Sequence, residues 1–561
     1  MTATASSSAS TNSTTAPGDQ ESQRISAPTK VTYLRRLTDQ AGVTEAVLNH
    51  KYAGHGTEES PYLVEFVEDD PYNGMNMSLS RKWFITVVQA LATLSVAFAS
   101  SAYSGGVSEV IVEFGISKEV SILGVSMFVL GFAIGPLLWA PLSETYGRQK
   151  TFFVTYMALT AFNAGTAGAE NIETLILLRF FAGAFGSSPL TNSGGVIADI
   201  FGPNQIGQAT GVFAMAPFLG PSIGPIAGGF LGEHAGWRWV EGMIAIFTGV
   251  MWIVNTVCYP ETYAPVLLQR RAAELSSRTG QVYVSKLEAG MPRKTVADRF
   301  RLALSRPLVL LFTEPIVLLL SIYMAIIYGT LYLCFAAFPI VFQQVRGWSP
   351  GIGGLAFIGL AVGMTIATLS TTVDNNKRYA RVAAAAGGAA PPEARLPPAI
   401  VGSFLIPVGM FWFAWTNGPD IHWAVSIVGS AVFGGGIVLV FLSLMTYMID
   451  SYVIYAASVL AANSVLRSLF GCAFPLFTTY MYEDLGIHWA SSIPAFLAVA
   501  CIPCPFLFYR YGPAIRARCK YTAEAAALLK QMRSRRAPPG ESETLAEVEM
   551  VRTQSNAHVA H

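Results

Sequence analysis

The sequence is poor in charge. Only 13% of its 561 residues are Asp, Glu, Lys or Arg, and the formal net charge is +1. Soluble globular chains carry roughly 25% charged residues, so the deficit argues against a soluble fold. A net charge this close to zero gives no electrostatic footing for nucleic acid. Histidine and cysteine are scarce, at seven and six. No two histidines have ligand spacing, so no metal and no other cofactor is expected. Cys501-Ile-Pro-Cys504 has the spacing of a redox motif but lies inside an apolar run, where it reads as small apolar filler. There is no GxxxxGK[ST] phosphate loop, which removes ATP as the direct energy source. Nor is there a charged-then-apolar leader, so membrane insertion is left to the first apolar run. The His/Asp or Cys/His clusters that a polytopic membrane enzyme would need at one face are missing as well.

What fills the chain instead is apolar: 52% of residues are hydrophobic and the mean hydropathy is +0.45. Twelve runs are long enough to cross a bilayer, at about 20 residues each. They lie near 83–104, 120–141, 151–169, 174–197, 208–231, 239–258, 308–333, 350–371, 399–417, 422–446, 453–477 and 489–510. The spacing predicts an N-terminal bundle over 81–258, a central loop over 259–307 and a C-terminal bundle over 308–512. Residues 1–80, opening on a Ser/Thr/Ala-rich stretch, and residues 513–561 read as tails, the first of them disordered. Basic residues crowd the central loop, among them Arg270, Arg271, Arg278, Lys286 and Arg299. By the excess of Lys and Arg on the cytosolic side, that loop and both termini are expected in the cytosol.

One stretch organises the rest. Between about Ala209 and Gly232 the chain is uncharged, with Gly220, Gly224 and Gly228 recurring every four residues and Pro217, Pro221 and Pro225 in a second column. On a helix the glycines let a neighbour approach at backbone distance. The prolines free carbonyls that lipid would not tolerate uncovered. A packed internal seam is the expectation. The halves also echo each other. Glu144 and Arg148 close the second run as an acid four residues before a base, and Asp374 and Arg378 do so in the eighth; Asp199 and Asp450 end the fourth and tenth. Such repeats put the substrate site between the halves.

These features resemble the major facilitator superfamily, and specifically fungal twelve-span drug:proton antiporters. Gly220 to Leu231, with Gly224, Pro225, Gly228 and Gly229, is similar to the antiporter motif gxxxGPxxGGxl at every defined position. Ala140 to Lys150, with Glu144, Gly147 and Arg148, resembles the loop motif GxLaDrxGrk, with Ala140 and Glu144 in place of Gly and Asp. Arg179 and Gly183 match the fourth-helix RxxxG motif, and Pro260-Glu261-Thr262 is a further landmark. The resemblance covers roughly 80 to 520. It implies an all-α polytopic membrane protein of the major facilitator fold, with 12 transmembrane helices in two six-helix bundles.

It also implies roles. Arg148 would reach Asp199 as a cytosolic latch, while Glu144 faces the N-terminus of a helix from the other half, whose dipole favours a carboxylate. Gly147 would supply the tight turn, and Asp374, Arg378 and Asp450 would form the second-half gate. Arg179 would couple protons, by shifting the pKa of a carboxylate or by holding water, the plainer alternative being a snorkelling or structurally paired arginine. Asp199, Glu241, Glu314 and Asp450 each qualify as coupling carboxylate or gate ion pair, and the carrier stays unnamed. Arg467, within the eleventh run, reads as a structurally paired or snorkelling arginine. Tyr323, Tyr328, Tyr332 and Phe335 follow helical spacing through the seventh run as a candidate cavity lining. Together these readings predict a proton-coupled exporter of drugs or a fungal secondary metabolite, acting as a monomer in the plasma membrane rather than the vacuolar membrane. Its partners are a small-molecule substrate, protons and the lipid bilayer; an exporter of polyamines or organic acids is the alternative.

Overall fold

The computed structural model describes residues 31–202, 205–290, 295–386, 390–525 and 527. Residues 1–30 and 528–561 of the two expected tails lie outside them. Two short helices, α1 (Tyr33–Thr38) and α2 (Glu45–Leu48), and a strand, β1 (Tyr62–Val64), come first. The first bundle follows as α3 (Leu79–Ala102), α4 (Val107–Phe114), α5 (Lys118–Tyr146), α6 (Arg148–Ala167), α7 (Ile172–Ile200), α8 (Ile206–Ala235) and α9 (Trp237–Cys258). The connection holds α10 (Ala264–Thr279), β2 (Tyr283–Ser285) and α11 (Val296–Thr313). The second bundle runs through α12 (Pro315–Phe338), α13 (Pro350–Gly354), α14 (Phe357–Asp374), α15 (Ala380–Ala385), α16 (Pro397–Thr416), α17 (Trp423–Tyr452), α18 (Ala456–Cys501) and α19 (Pro503–Arg518).

Each of the twelve apolar runs falls on helix. Among the described residues nine stretches are long and apolar enough to cross a membrane, the last being the joined helices of Trp423–Arg518. Local chemistry sets the boundaries. Ser117 and Asn171 cap α5 and α7 by accepting from Val120 and Thr174 backbone N–H groups. Glu314 adopts extended backbone before Pro315, so the seventh run begins on the end of α11 and continues in α12. Gly486, at φ 73°, interrupts α18 and separates the eleventh run from the twelfth.

Helices α3 and α5–α9 pack chiefly on one another, as do α12, α14 and α16–α19. The bundles meet where α5 lies on α18 and where α8 lies on α13 and α14. Two hydrophobic cores result, one around Phe128, Phe152 and Tyr156, the other centred on the second bundle but reaching Val129 and Phe218 of the first.

Residues 31–80 depart from the expected disordered tail. β1 pairs in parallel with β2, and Val43, Val47 and Val64 pack against Leu268, Ala272 and Leu275 of α10. Arg271 donates to Asp70 at 2.5 Å, with both side chains at most 1% exposed. Gln149 of α6 donates to the Leu37 carbonyl and Arg270 to that of Tyr146, tying this lobe to the first bundle. Composition misreads the segment because its few apolar residues find their partners some two hundred residues away. The lobe marks what is called here the basic end of the molecule; the other is the far end.

Candidate functional site

At the basic end, α5 stops at Tyr146 and α6 starts at Arg148, with Gly147 at φ 97° between them. Glycine is required twice: L side chains rarely adopt that φ, and a Cβ would overlap the Glu261 carboxylate. Glu261 accepts from the Arg148 backbone N–H at 3.0 Å and from that of Gln149 at 3.3 Å, so a negative charge caps the positive end of the α6 dipole. The Arg148 guanidinium then reaches Asp199 at 3.4 Å, the Ser143 hydroxyl at 2.9 Å and the Asn192 side-chain oxygen at 3.3 Å. It also sits 4.8 Å from the centre of the Tyr263 ring. Burial pushes the Tyr263 phenol up to about 12, so it stays neutral beneath the cation. Gly147, Arg148 and Asp199 thus converge.

Glu144 does not join them. It is exposed and has no hydrogen bond or ion pair among the described residues. Together with Ala140 and Ser458 it lines a cavity of roughly 1270 Å³ that parts α5 from the start of α18 and is walled for the most part by β1, α10, β2 and α11, among them Leu63, Tyr283, Arg299 and Arg306. The helix of the other half that the resemblance placed against it stands across that space.

In the second half the expected trio also separates. Arg378 closes on Asp374 of its own helical stretch, with two contacts of 2.6 Å, because a π-helical turn at Asn375–Tyr379 continues α14 and keeps the two residues one turn apart. Asp450 is taken instead by Arg395 at 2.8 Å, whose guanidinium lies 3.5 Å over Tyr379 and also donates to Asn375. Sequence reasoning missed Arg395, and it passed over Glu261 as a landmark without a role. The signal for Glu261 was an acid flanked by Pro260 and Thr262 just past a run's end.

Toward the far end Arg179 is fully buried and well supplied with acceptors. It donates to Glu241 at 2.6 Å, to the Gly124 carbonyl at 2.7 Å and to the Ala99 carbonyl at 3.1 Å, and it lies over the rings of Tyr103 and Phe128. One guanidinium therefore ties α7 to α9, α5 and α3. The second Glu241 carboxylate oxygen is buried without a partner among the described residues. Of the four carboxylates left open by the sequence, Glu241 is the one on Arg179. Gly183 backs onto the Phe128 carbonyl, letting α5 and α7 touch.

The glycine–proline helix α8 has two working faces. Gly220, Gly224 and Gly228 face α3 of their own bundle, where a Cβ on Gly220 would stand 2.6 Å from that of Ala97. The contact with the other bundle lies beside that column. A Cβ on Gly229 would come 2.6 Å from the Pro350 carbonyl, and one on Gly354 equally near that of Pro225. Glu233 adds a hydrogen bond to the Gly351 N–H at 2.8 Å. The seam is closed near its basic end too, where a Cβ on Gly211 would stand 3.1 Å from the Thr372 hydroxyl of α14; the cavity lies apart from it, beside α5 and α18.

The aromatic column of α12 divides in the same way. Tyr332 shares a 2.9 Å hydrogen bond with Ser100 of the first bundle and packs on Tyr328 and Phe335. Phe335 stacks on Phe357 of α14. Tyr323 turns the other way, toward Cys501 and Cys504 inside its own bundle, so it does not line the contact between bundles. Arg467 of α18 lies over Tyr328 at 4.7 Å and Phe441 at 5.1 Å. The structural pairing expected for it is not there: among the described residues it has no ion pair or hydrogen bond, and its Nε is buried without a partner.

Residues 89–475 match the Major Facilitator Superfamily. The chain is 61% identical over 507 residues to the MFS-type efflux pump MFS2 of Trichophyton rubrum, covering 90% of this chain and 85% of that one. It is 60% identical over 547 residues to the Major facilitator superfamily multidrug transporter mdrA of Aspergillus fumigatus, covering 97% and 90%. Among solved structures it is similar to the proton:xylose symporter XylE, with a TM-score of 0.57 at 16% identity over 77% of this chain and 96% of that one, a likeness of fold alone. Two helical bundles, a shut glycine seam and a charged loop between α5 and α6 agree with that assignment. The chain belongs to the major facilitator superfamily: it is an all-α, multi-pass membrane transporter and not an enzyme.

Proposed function

We propose that this protein exports small amphipathic organic compounds, drugs or a secondary metabolite, by proton-driven alternating access. One observation carries the reading: at the basic end a cavity parts α5 of the first bundle from α18 of the second, with Glu144 on its wall and the connection lining the rest, whereas at the far end Gly229, Pro350 and Gly354 pack the two bundles at backbone distance. A carrier exposing its site to one side at a time needs that asymmetry. The excess of Lys and Arg at the basic end favours the cytosol for that end and for both termini, with twelve crossings between. The relatives' descriptions as an efflux pump and a multidrug transporter support the direction of transport. The plasma membrane and a single-chain working unit complete the reading.

Glu241 is the proton carrier in this scheme, and it joins the buried charges to the helix contacts. Its carboxylate holds Arg179, and Arg179 holds the α3 carbonyl of Ala99, next to the Ser100 that touches Tyr332 of the other bundle. Protonating Glu241 removes the charge that Arg179 leans on and loosens α3 against α12. Arg148 with Asp199, and Arg395 with Asp450, act as latches at the cytosolic ends.

The test is an efflux assay in a pump-deficient host across a compound panel, with and without a protonophore. Export should be abolished by the protonophore. Glu241→Gln should abolish gradient-driven export while leaving an inserted protein, and Arg148→Ala or Asp199→Asn should remove most of it. Protonophore-insensitive export, or a fully active Glu241→Gln protein, would defeat the proposal.

A further inference from the structure

We infer that Arg467 is an anion-recognition point between the bundles, and that the cargo is a small amphipathic organic acid carried as its carboxylate; this rests on the efflux reading above and narrows its substrate class. Arginines within membrane-spanning segments are ordinarily paired, and this protein shows what pairing looks like. Arg179 has a carboxylate at 2.6 Å and backbone carbonyls around it. Arg467 has neither among the described residues. The acids on the helices around it stand at helix ends: Glu314 before α12, Asp450 closing α17, Glu119 and Glu144 on α5, Glu483 and Asp484 before the break in α18. None of them forms an ion pair with it.

The surroundings hold the cation without using its donors. Tyr328 and Phe441 approach the guanidinium carbon at 4.7 and 5.1 Å, and attraction to a ring face engages the charge while leaving the N–H groups free. A guanidinium has five such donors in a planar fork that fits a carboxylate. The place is also where the halves meet. Tyr328 touches Tyr332, which is bonded to Ser100 of the first bundle, and Phe441 packs edge-on against Phe218 of α8. One turn before Arg467 on α18, Asn463 has a buried side-chain oxygen without a partner among the described residues, a ready acceptor for a hydroxyl on the same ligand. A carboxylate between the bundles would supply the missing counter-charge, and the apolar remainder of the molecule would part the Phe441 and Phe218 rings, which are packed on one another and buried in this structure.

The experiment uses the purified full-length protein and three probes on one ring system: 1-naphthoate, its neutral amide, and 1-naphthylmethylammonium. Binding is read by equilibrium dialysis and transport in proteoliposomes. The expected result is binding of naphthoate in preference to the ammonium compound. Arg467→Gln should weaken naphthoate at least about tenfold with amide binding unchanged, and Arg467→Lys should restore part of the loss. Unchanged amide binding also reports that the Gln protein is folded. Equal naphthoate binding by the Gln protein, or preference for the ammonium probe, overturns the inference. Naphthoate bound but no probe transported leaves the anion site standing and defeats the efflux reading. Amide transported with naphthoate neither bound nor moved does the reverse.

Discussion

Gly147 is a glycine for two separable reasons, and a single methyl group tests both. Its φ of 97° disfavours any L side chain, and the missing Cβ makes room for the Glu261 carboxylate. Gly147→Ala should therefore strain the turn and push Glu261 off the first N–H groups of α6. The combined cost is on the order of 2 kcal/mol or more. Because Arg148 is positioned by the backbone that Glu261 caps, transport should fall further than thermal stability. Parallel efflux and melting measurements check this; a fully active Gly147→Ala protein would show that the turn does not set the latch. The same scale shows where sequence reasoning stops. Arg148 and Asp199 could be paired on paper through the family resemblance, but Arg395 with Asp450 and Arg179 with Glu241 could not. Each of those pairs joins residues more than fifty positions apart, and no spacing rule reaches across helices.

Among the elements, α8 was legible in outline and its faces were not. Glycines and prolines at four-residue spacing fix a helix with a close-packed side. They do not say whether the neighbour belongs to the same bundle, as α3 does, or to the other, as α13 and α14 do. The N-terminal lobe was illegible for a different reason: a strand of three residues and helices of six and four carry no periodicity long enough to read. Asp70 and Arg271 hold that lobe to α10, and breaking a buried pair by removing one partner costs about 3–5 kcal/mol. Asp70→Asn should therefore loosen the lobe, seen as faster hydrogen exchange over 41–72 with the spans unaffected. At the far end, α4 is tied to α9 by Glu113, which accepts from Arg238 and, at 2.6 Å, from the Trp237 indole N–H. The hydrogen bond from Arg238, then that from Trp237, holds the Glu113 carboxyl below its usual range. A lowered folded-state pKa stabilises above the ordinary carboxylate value and is lost as pH falls through the lowered one. Exchange over 107–114 should accelerate on acidification below that value, and Glu113→Gln should flatten this response. An identical pH profile in the variant would assign the effect elsewhere.

For the whole molecule, the long apolar runs announced a polytopic helical protein because lipid leaves little choice but helices. The conformation was not in the sequence. A latch drawn for the state closed at the basic end predicts a partner for Glu144, whereas the protein holds that residue at the edge of a cavity. Glu144 faces that cavity because of how α5, α18 and the connection pack, and no spacing in the sequence reports that packing. The direct measurement is a pair of distances in the reconstituted protein. Spin labels at positions 144 and 458 span the basic-end cavity, and labels at 230 and 352 span the far-end seam. Adding cargo or reversing the pH gradient should populate a state in which the far-end distance lengthens while the basic-end distance shortens, with no population long at both ends. Distances that stay fixed, or lengthen together, would contradict alternating access.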